Sequence, residues 1–164
     1  MKTHRFAALA LGLALAGCGS GSSVGNVSGT WTCRDATPSC LNYTTSQPVL
    51  GKTTGSTNMT LGLAQSKGGA MTMDPQPTEG NGVTWACPDP TLDGDVLSLG
   101  TCTLTSGHCT ASVTPSISIA KASGSTPMLM TWQGYNYTWG GSSCTVGNGI
   151  TVTVASFELS LAGR

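Results

Sequence analysis

Ile150-Thr151-Val152-Thr153-Val154-Ala155-Ser156-Phe157-Glu158-Leu159-Ser160-Leu161 decides the fold class of this chain. From Ile150 to Val154 every second residue is apolar, and from Phe157 to Leu161 the alternation resumes on odd positions. Successive side chains of a strand point to opposite faces, so a period of two describes a strand with one wet face and one dry face. The slip of one residue between the two halves moves every later side chain to the other face. A β-bulge near Ala155-Ser156 is expected to absorb it and to bend the strand.

The same period recurs outward from this stretch. Met59, Leu61 and Leu63 alternate with Thr60 and Gly62, and Met71 and Met73 flank Thr72. Val83, Trp85 and Cys87, then Leu97 and Leu99, then Ile117 and Ile119, repeat it. Turn formers separate these runs: Gly68-Gly69, Glu79-Gly80-Asn81-Gly82, Asp93-Gly94, Ser106-Gly107, Gly124-Ser125 and Gly147-Asn148-Gly149. Asp93-Gly94 is a strong hairpin signal. The expected fold is all-β and antiparallel: a barrel of about eight short strands or, alternatively, a β-sandwich.

The N-terminus has another character. Lys2 and Arg5 precede an apolar run from Phe6 to Ala16, followed by Leu15-Ala16-Gly17-Cys18. Eleven helical residues reach only about 16 Å, roughly half of a hydrocarbon core of about 30 Å. The segment therefore suits a cleaved leader better than a membrane span. Leu15 to Cys18 resembles the lipobox of bacterial lipoproteins. The resemblance implies a signal peptide over residues 1–17, cleavage before Cys18, and diacylglycerol on the Cys18 sulfur with acylation (palmitate-type chains) of the new amine. Two or three chains hold a protein on a membrane where one chain binds marginally. Gly19, where an aspartate would mark inner-membrane retention, implies the outer membrane, facing the periplasm or the cell surface. Residues 18–29 then form a lipid-anchored Gly/Ser tether, and residues 30–164 a single β-domain. Gly21-Ser22-Ser23-Val24-Gly25 matches the nucleophile-elbow pattern. That chemistry needs a strand-to-helix turn, which a low-complexity tether does not supply.

Beyond Gly17 the chain carries five basic and seven acidic residues, a net charge of −2. No basic stripe exists, so nucleic acid is not an expected partner. Leu, Ile, Val and Phe together number 24 of those 147 residues, few for a well-filled core. Cysteines compensate. With Cys18 set aside, Cys33, Cys40, Cys87, Cys102, Cys109 and Cys144 remain, an even number that reads as three disulfides in an exported chain. Equal spacing favours 33–40, 102–109 and 87–144; pairs 87–102 and 109–144 are the rival. No CxxC-type spacing suggests a metal site.

Gly29-Thr30-Trp31 resembles the G-x-W motif that opens lipocalin-like barrels. In that family the tryptophan closes one end of the barrel, which often holds an apolar ligand. Of the eight aromatic residues beyond Cys18, four fall between Trp132 and Trp139. Tyr135, Tyr137 and Trp139 share one face of a strand. With Trp132, and with Trp31, they form the candidate ligand-binding set, because aromatic rings offer flat apolar area with a polar handle. The competing reading places the same face in the core.

Other chemistry is thinly supported. His108, the one histidine beyond the leader, lies in the Ser106-to-Cys109 turn, without the orienting acid and oxyanion hole a hydrolase needs. Asp89, Asp93 and Asp95 read as turn residues rather than a calcium loop. Glu79 and Glu158 are the only glutamates, and nothing in the sequence brings them together. No cofactor or metal is expected. The sequence reading is an envelope lipoprotein, not an enzyme, that binds a small apolar or glycan ligand. The alternative is a structural or interaction lipoprotein with a filled core that contacts another envelope protein.

Overall fold

The alternation read from the sequence is an alternation of burial. Met59, Leu61 and Leu63 are buried, as are Ile117 and Ile119, and Val152 and Val154. The computed structural model describes residues 24–34, 39–144 and 147–162. The leader, residues 18–23 of the tether with Cys18, and Arg164 lie outside the described residues; within the rest of the tether Val24 and Val27 are buried.

Sixteen strands form among the described residues. They are β1 (Gly29–Cys33), β2 (Leu41–Val49), β3 (Lys52–Thr57), β4 (Met59–Gln65), β5 (Met71–Met73), β6 (Thr78–Glu79), β7 (Thr84–Ala86) and β8 (Thr91–Asp93), followed by β9 (Val96–Ser98), β10 (Cys102–Ser106), β11 (Cys109–Val113), β12 (Ile117–Ala120), β13 (Leu129–Trp132), β14 (Tyr135–Thr138), β15 (Thr151–Val154) and β16 (Phe157–Leu161). Every pairing is antiparallel. A twelve-stranded sheet runs β11-β10-β7-β6-β4-β1-β16-β13-β12-β9-β8, with β5 also on β4, and curls into half a barrel. A four-stranded sheet runs β14-β15-β2-β3. The all-β antiparallel class is therefore observed. The closed barrel of about eight strands is corrected to two unequal sheets, because many runs are short and the chain crosses repeatedly between sheets. The sandwich alternative has two sheets, but not this unequal division.

Both sheets contribute to one core. Trp31 lies at its centre, fully buried, opposite Leu61 on β4 and Leu161 on β16. Its indole N–H donates to the Val27 carbonyl at 3.0 Å, so its one polar group is satisfied.

The slip at Ala155-Ser156 is not a bulge within one strand. β15 belongs to the small sheet and β16 to the large one. The chain passes between sheets at this point, which reverses the parity that faces the shared core. The neighbouring chain turns at the same place: Trp132 is opposite Phe157 in one sheet, and Tyr135 is opposite Val154 in the other. Gly134 makes this corner close. A Cβ there would lie 3.0 Å from the Val154 carbonyl oxygen, and the Gly134 N–H donates to Ser156 Oγ at 3.0 Å.

Three disulfides join the elements: Cys33–Cys40, Cys87–Cys102 and Cys109–Cys144. The 33–40 pairing matches the favoured set; 102–109 and 87–144 are corrected to the rival pairs. Register explains the correction. Cys102 and Cys109 lie at opposite ends of the β10–β11 hairpin ladder, where Cys102 faces Val113 and Ser106 faces Cys109. Cys87 directly follows β7, which pairs with β10, and this brings it to Cys102. Cys33–Cys40 links the end of β1 to the start of β2, one sheet to the other. Cys109–Cys144 joins the sheets again at their other edge. There Thr110 and Gly140 exchange two backbone hydrogen bonds of 2.9 Å.

Candidate functional site

The aromatic residues divide by where the strand carries them. Trp132, fully buried at the end of β13, stacks on Phe157 with centroids 5.5 Å apart and planes at 16°. Trp85 meets Trp132 edge-on at 5.8 Å and Tyr135 edge-on at 5.8 Å. These four rings fill the interior where the chain turns from one sheet to the other. The Trp132 indole nitrogen and Tyr135 hydroxyl are buried without a hydrogen-bond partner. Trp31 is also in the core, away from any opening.

Tyr137 and Trp139 continue the same row to the open end of the small sheet. Tyr137 is buried and Trp139 half-buried, with centroids 5.1 Å apart and planes at 82°. Both line a groove of about 1000 Å³ that opens to solvent. Its other walls come from the β2–β3 hairpin, from Asn81 and Val83 beside β6 and β7, and from Ser106 and Cys109 of the β10–β11 hairpin. A shallower depression of about 510 Å³ lies over the outward hydroxyl face of the small sheet, at Asn42, Thr44, Thr54 and Thr153.

Tyr43 joins the groove and is absent from the sequence-derived set. It faces Gly55 across the β2–β3 ladder, and a Cβ at Gly55 would meet the tyrosine ring at 2.4 Å. The glycine leaves room for the ring to lie flat over β3. An aromatic opposite a glycine on consecutive strands is the one sequence signal for it.

One carboxylate sits beneath the groove. Glu79 is only 2% exposed. Its Oε1 accepts from the Trp85 indole N–H at 3.1 Å, and its Oε2 accepts from the Asn81 amide at 3.1 Å. Asn81 in turn accepts the Val83 backbone N–H at 3.2 Å through its own carbonyl oxygen. Burial raises the Glu79 carboxyl above its ordinary range, and the Trp85 and Asn81 donors oppose that shift. Burial, then the charge of Glu79, pushes the Tyr135 and Tyr137 hydroxyls up as well, so both stay protonated.

The remaining sequence candidates lie elsewhere. His108 is exposed in the turn between β10 and β11. Asp93 and Asp95 are exposed around the β8–β9 hairpin, and Asp89 is exposed before it. Glu158 pairs with the partly exposed Arg34, and its strand β16 is separated from Glu79 on β6 by β4 and β1. Among the described residues, no three His, Cys, Asp or Glu side chains gather as a metal site would require. The chain matches no protein family, no curated protein and no solved structure.

Proposed function

We propose that this chain is a non-enzymatic binding module, held on the cell envelope through lipid on Cys18, whose ligand occupies the groove at the mouth between the two sheets. One observation carries the reading: the aromatic row runs from the filled interior through Tyr137 to the half-buried Trp139, and these two line an open groove of about 1000 Å³. Binding sites combine apolar and aromatic walls with a few placed polar groups, and this groove has both. The interior itself is occupied by Trp85, Trp132, Tyr135 and Phe157, so the ligand sits at the mouth rather than inside a barrel. The hydrolase reading needs His108 beside a serine and a carboxylate in a cleft; its exposed turn position does not support that.

Titration of the full chain with an alkyl fluorophore and with oligosaccharides tests the groove. Binding of either ligand that weakens in Trp139→Ala supports it. Mass spectrometry of the native protein, with and without reduction, tests the anchor: the expected mass starts at Cys18 and includes the lipid. An intact Met1 with unmodified Cys18 in the native host rejects it.

The filled interior also favours a second reading, a structural or interaction lipoprotein. Val49 and Leu50 project at the β2–β3 tip, 46% and 99% exposed, and would then meet another envelope protein. In that case neither class of small ligand binds the groove.

A further inference from the structure

We infer that the groove takes an uncharged carbohydrate chain; the inference rests on the binding-module reading above and names its ligand class. Three features of the lining carry it. First, Trp139 is half-buried on the wall and is held edge-on, at 82°, by the buried Tyr137 ring, which itself stacks on Tyr135. The C–H face of a pyranose matches the uncovered part of the Trp139 ring. Second, between apolar side chains such as Val49, Leu50 and Ile150, the lining carries uncharged polar groups: the side chains of Tyr43, Thr45, Thr54, Ser56, Ser106 and Asn81. An acyl chain would strip water from these groups and return no hydrogen bonds, at a cost for each. Sugar hydroxyls replace the lost water. Third, charge is almost absent. Among the described residues, Lys52 is the one charged side chain on the wall, and no carboxylate lines it. An anionic glycan would find one cation, and a cationic one none.

Asn81 is the polar contact already oriented for the task. Its amide nitrogen gives one hydrogen to Glu79, and its carbonyl accepts from Val83. One N–H and one carbonyl lone pair remain for a ligand hydroxyl. Glu79 is thus a positioning residue, buried behind the wall. The groove is open to solvent, so a polymer can pass across the mouth with a few sugar units engaged.

The test titrates the full chain, through its tryptophan fluorescence and by calorimetry, with neutral hexasaccharides of glucose and N-acetylglucosamine, an oligogalacturonate, and an alkyl fluorophore. Binding of a neutral hexasaccharide is expected. It should weaken about tenfold or more in Trp139→Ala, in proportion to the lost ring contact, and be largely retained in Trp139→Phe. Circular dichroism and thermal melting of each variant separate lost binding from lost folding. Binding of the fluorophore alone, sensitive to Trp139→Ala, overturns the carbohydrate inference and leaves the groove reading standing. Preference for oligogalacturonate with loss in Lys52→Gln overturns its neutrality. No binding of any probe overturns both readings.

Discussion

Trp132 and Tyr137 lie five residues apart in one aromatic run, and both are buried, yet only Tyr137 meets the groove. The difference is position along the chain as it passes from the large sheet to the small one. Trp132 sits at the corner where two sheets converge and is covered by Phe157, Trp85 and Tyr135. Tyr137 sits further along β14, beside the edge strand β11 of the large sheet, where the groove opens. One closed end and one open end are thus built from the same residue types. Alternation decides which face a ring joins, and the reach of the opposite sheet decides whether that ring is core or site.

Truncating a ring at each end gives the largest contrast. Trp132→Ala should destabilise the fold by about 3–5 kcal/mol, since a fully covered indole leaves a cavity. Trp139→Ala, half-buried at the mouth, should cost roughly 1 kcal/mol or less. Denaturant unfolding monitored by circular dichroism measures both. Equal losses would erase the distinction between core and mouth.

The bridge at the mouth comes next. Cys109 lines the groove and its bond to Cys144 spans 35 residues of sequence. Replacing both with serine frees that loop in the unfolded chain, for about 3–4 kcal/mol by loop entropy. Ligand affinity should fall too, because the same bond ties the β11 edge to the segment after β14. The Cys87–Cys102 bridge lies between paired strands of one sheet and closes a shorter loop of 15 residues, so its removal should cost less, about 3 kcal/mol, and leave affinity unchanged. Affinity that falls equally in both variants would show that the groove has no special dependence on its own bridge.

These contrasts also mark what the sequence makes legible. Strand alternation is plain at Met59–Leu63, Ile117–Ile119 and Val152–Val154, because a dry face selects apolar residues directly. The β8–β9 and β10–β11 hairpins are equally plain, from Asp93-Gly94 and Ser106-Gly107. Sheet membership is not. The parity change at Ala155-Ser156 is visible, but a bulge and a passage between sheets leave the same pattern. Equal cysteine spacing points to 102–109, whereas the hairpin register separates those residues. Tyr43 stands alone in a polar strand, and its place on the groove depends on Gly55 and on strands more than 80 residues away. Glu79 reads as a turn residue; its burial follows from Trp85 and Asn81 closing over it.

Glu79 links the two ends, since Trp85 belongs to the core and Asn81 to the groove. Burial holds its carboxyl above the ordinary value of 4.5, so the folded state binds a proton more tightly than the unfolded chain. The folded state then has its full advantage from this group below the ordinary value, and loses it as pH rises through the raised one. Glu79→Gln cannot ionise, so the native chain should lose stability relative to the variant across that rise. Gln can accept from only one of the two donors, an offset of about 1–3 kcal/mol that does not vary with pH. The slope of the stability difference is therefore the readout. A difference that is flat with pH would mean that the carboxyl is solvated, and the separation of closed interior from wet mouth would fail at its boundary.

The smallest expected effect is at the outer lip. Val49 pairs with Lys52, which leaves Leu50 and Gly51 as a two-residue turn with φ of 51° and 79°. Positive φ at both central positions is the requirement of a type I′ turn, which favours Asn-Gly. A leucine there is sterically strained by about 1–2 kcal/mol and is 99% exposed, so the fold gains no burial from it. Leu50→Asn should therefore raise stability by up to about 1 kcal/mol, as a higher denaturation midpoint with unchanged slope. Strain retained at an exposed apolar residue on the groove wall is the pattern of a position kept for contact rather than for folding. If Leu50 serves the mouth, the same substitution weakens ligand binding while it strengthens the fold. Stability and affinity that rise together, or a fold that weakens, would return Leu50 to an ordinary hairpin tip.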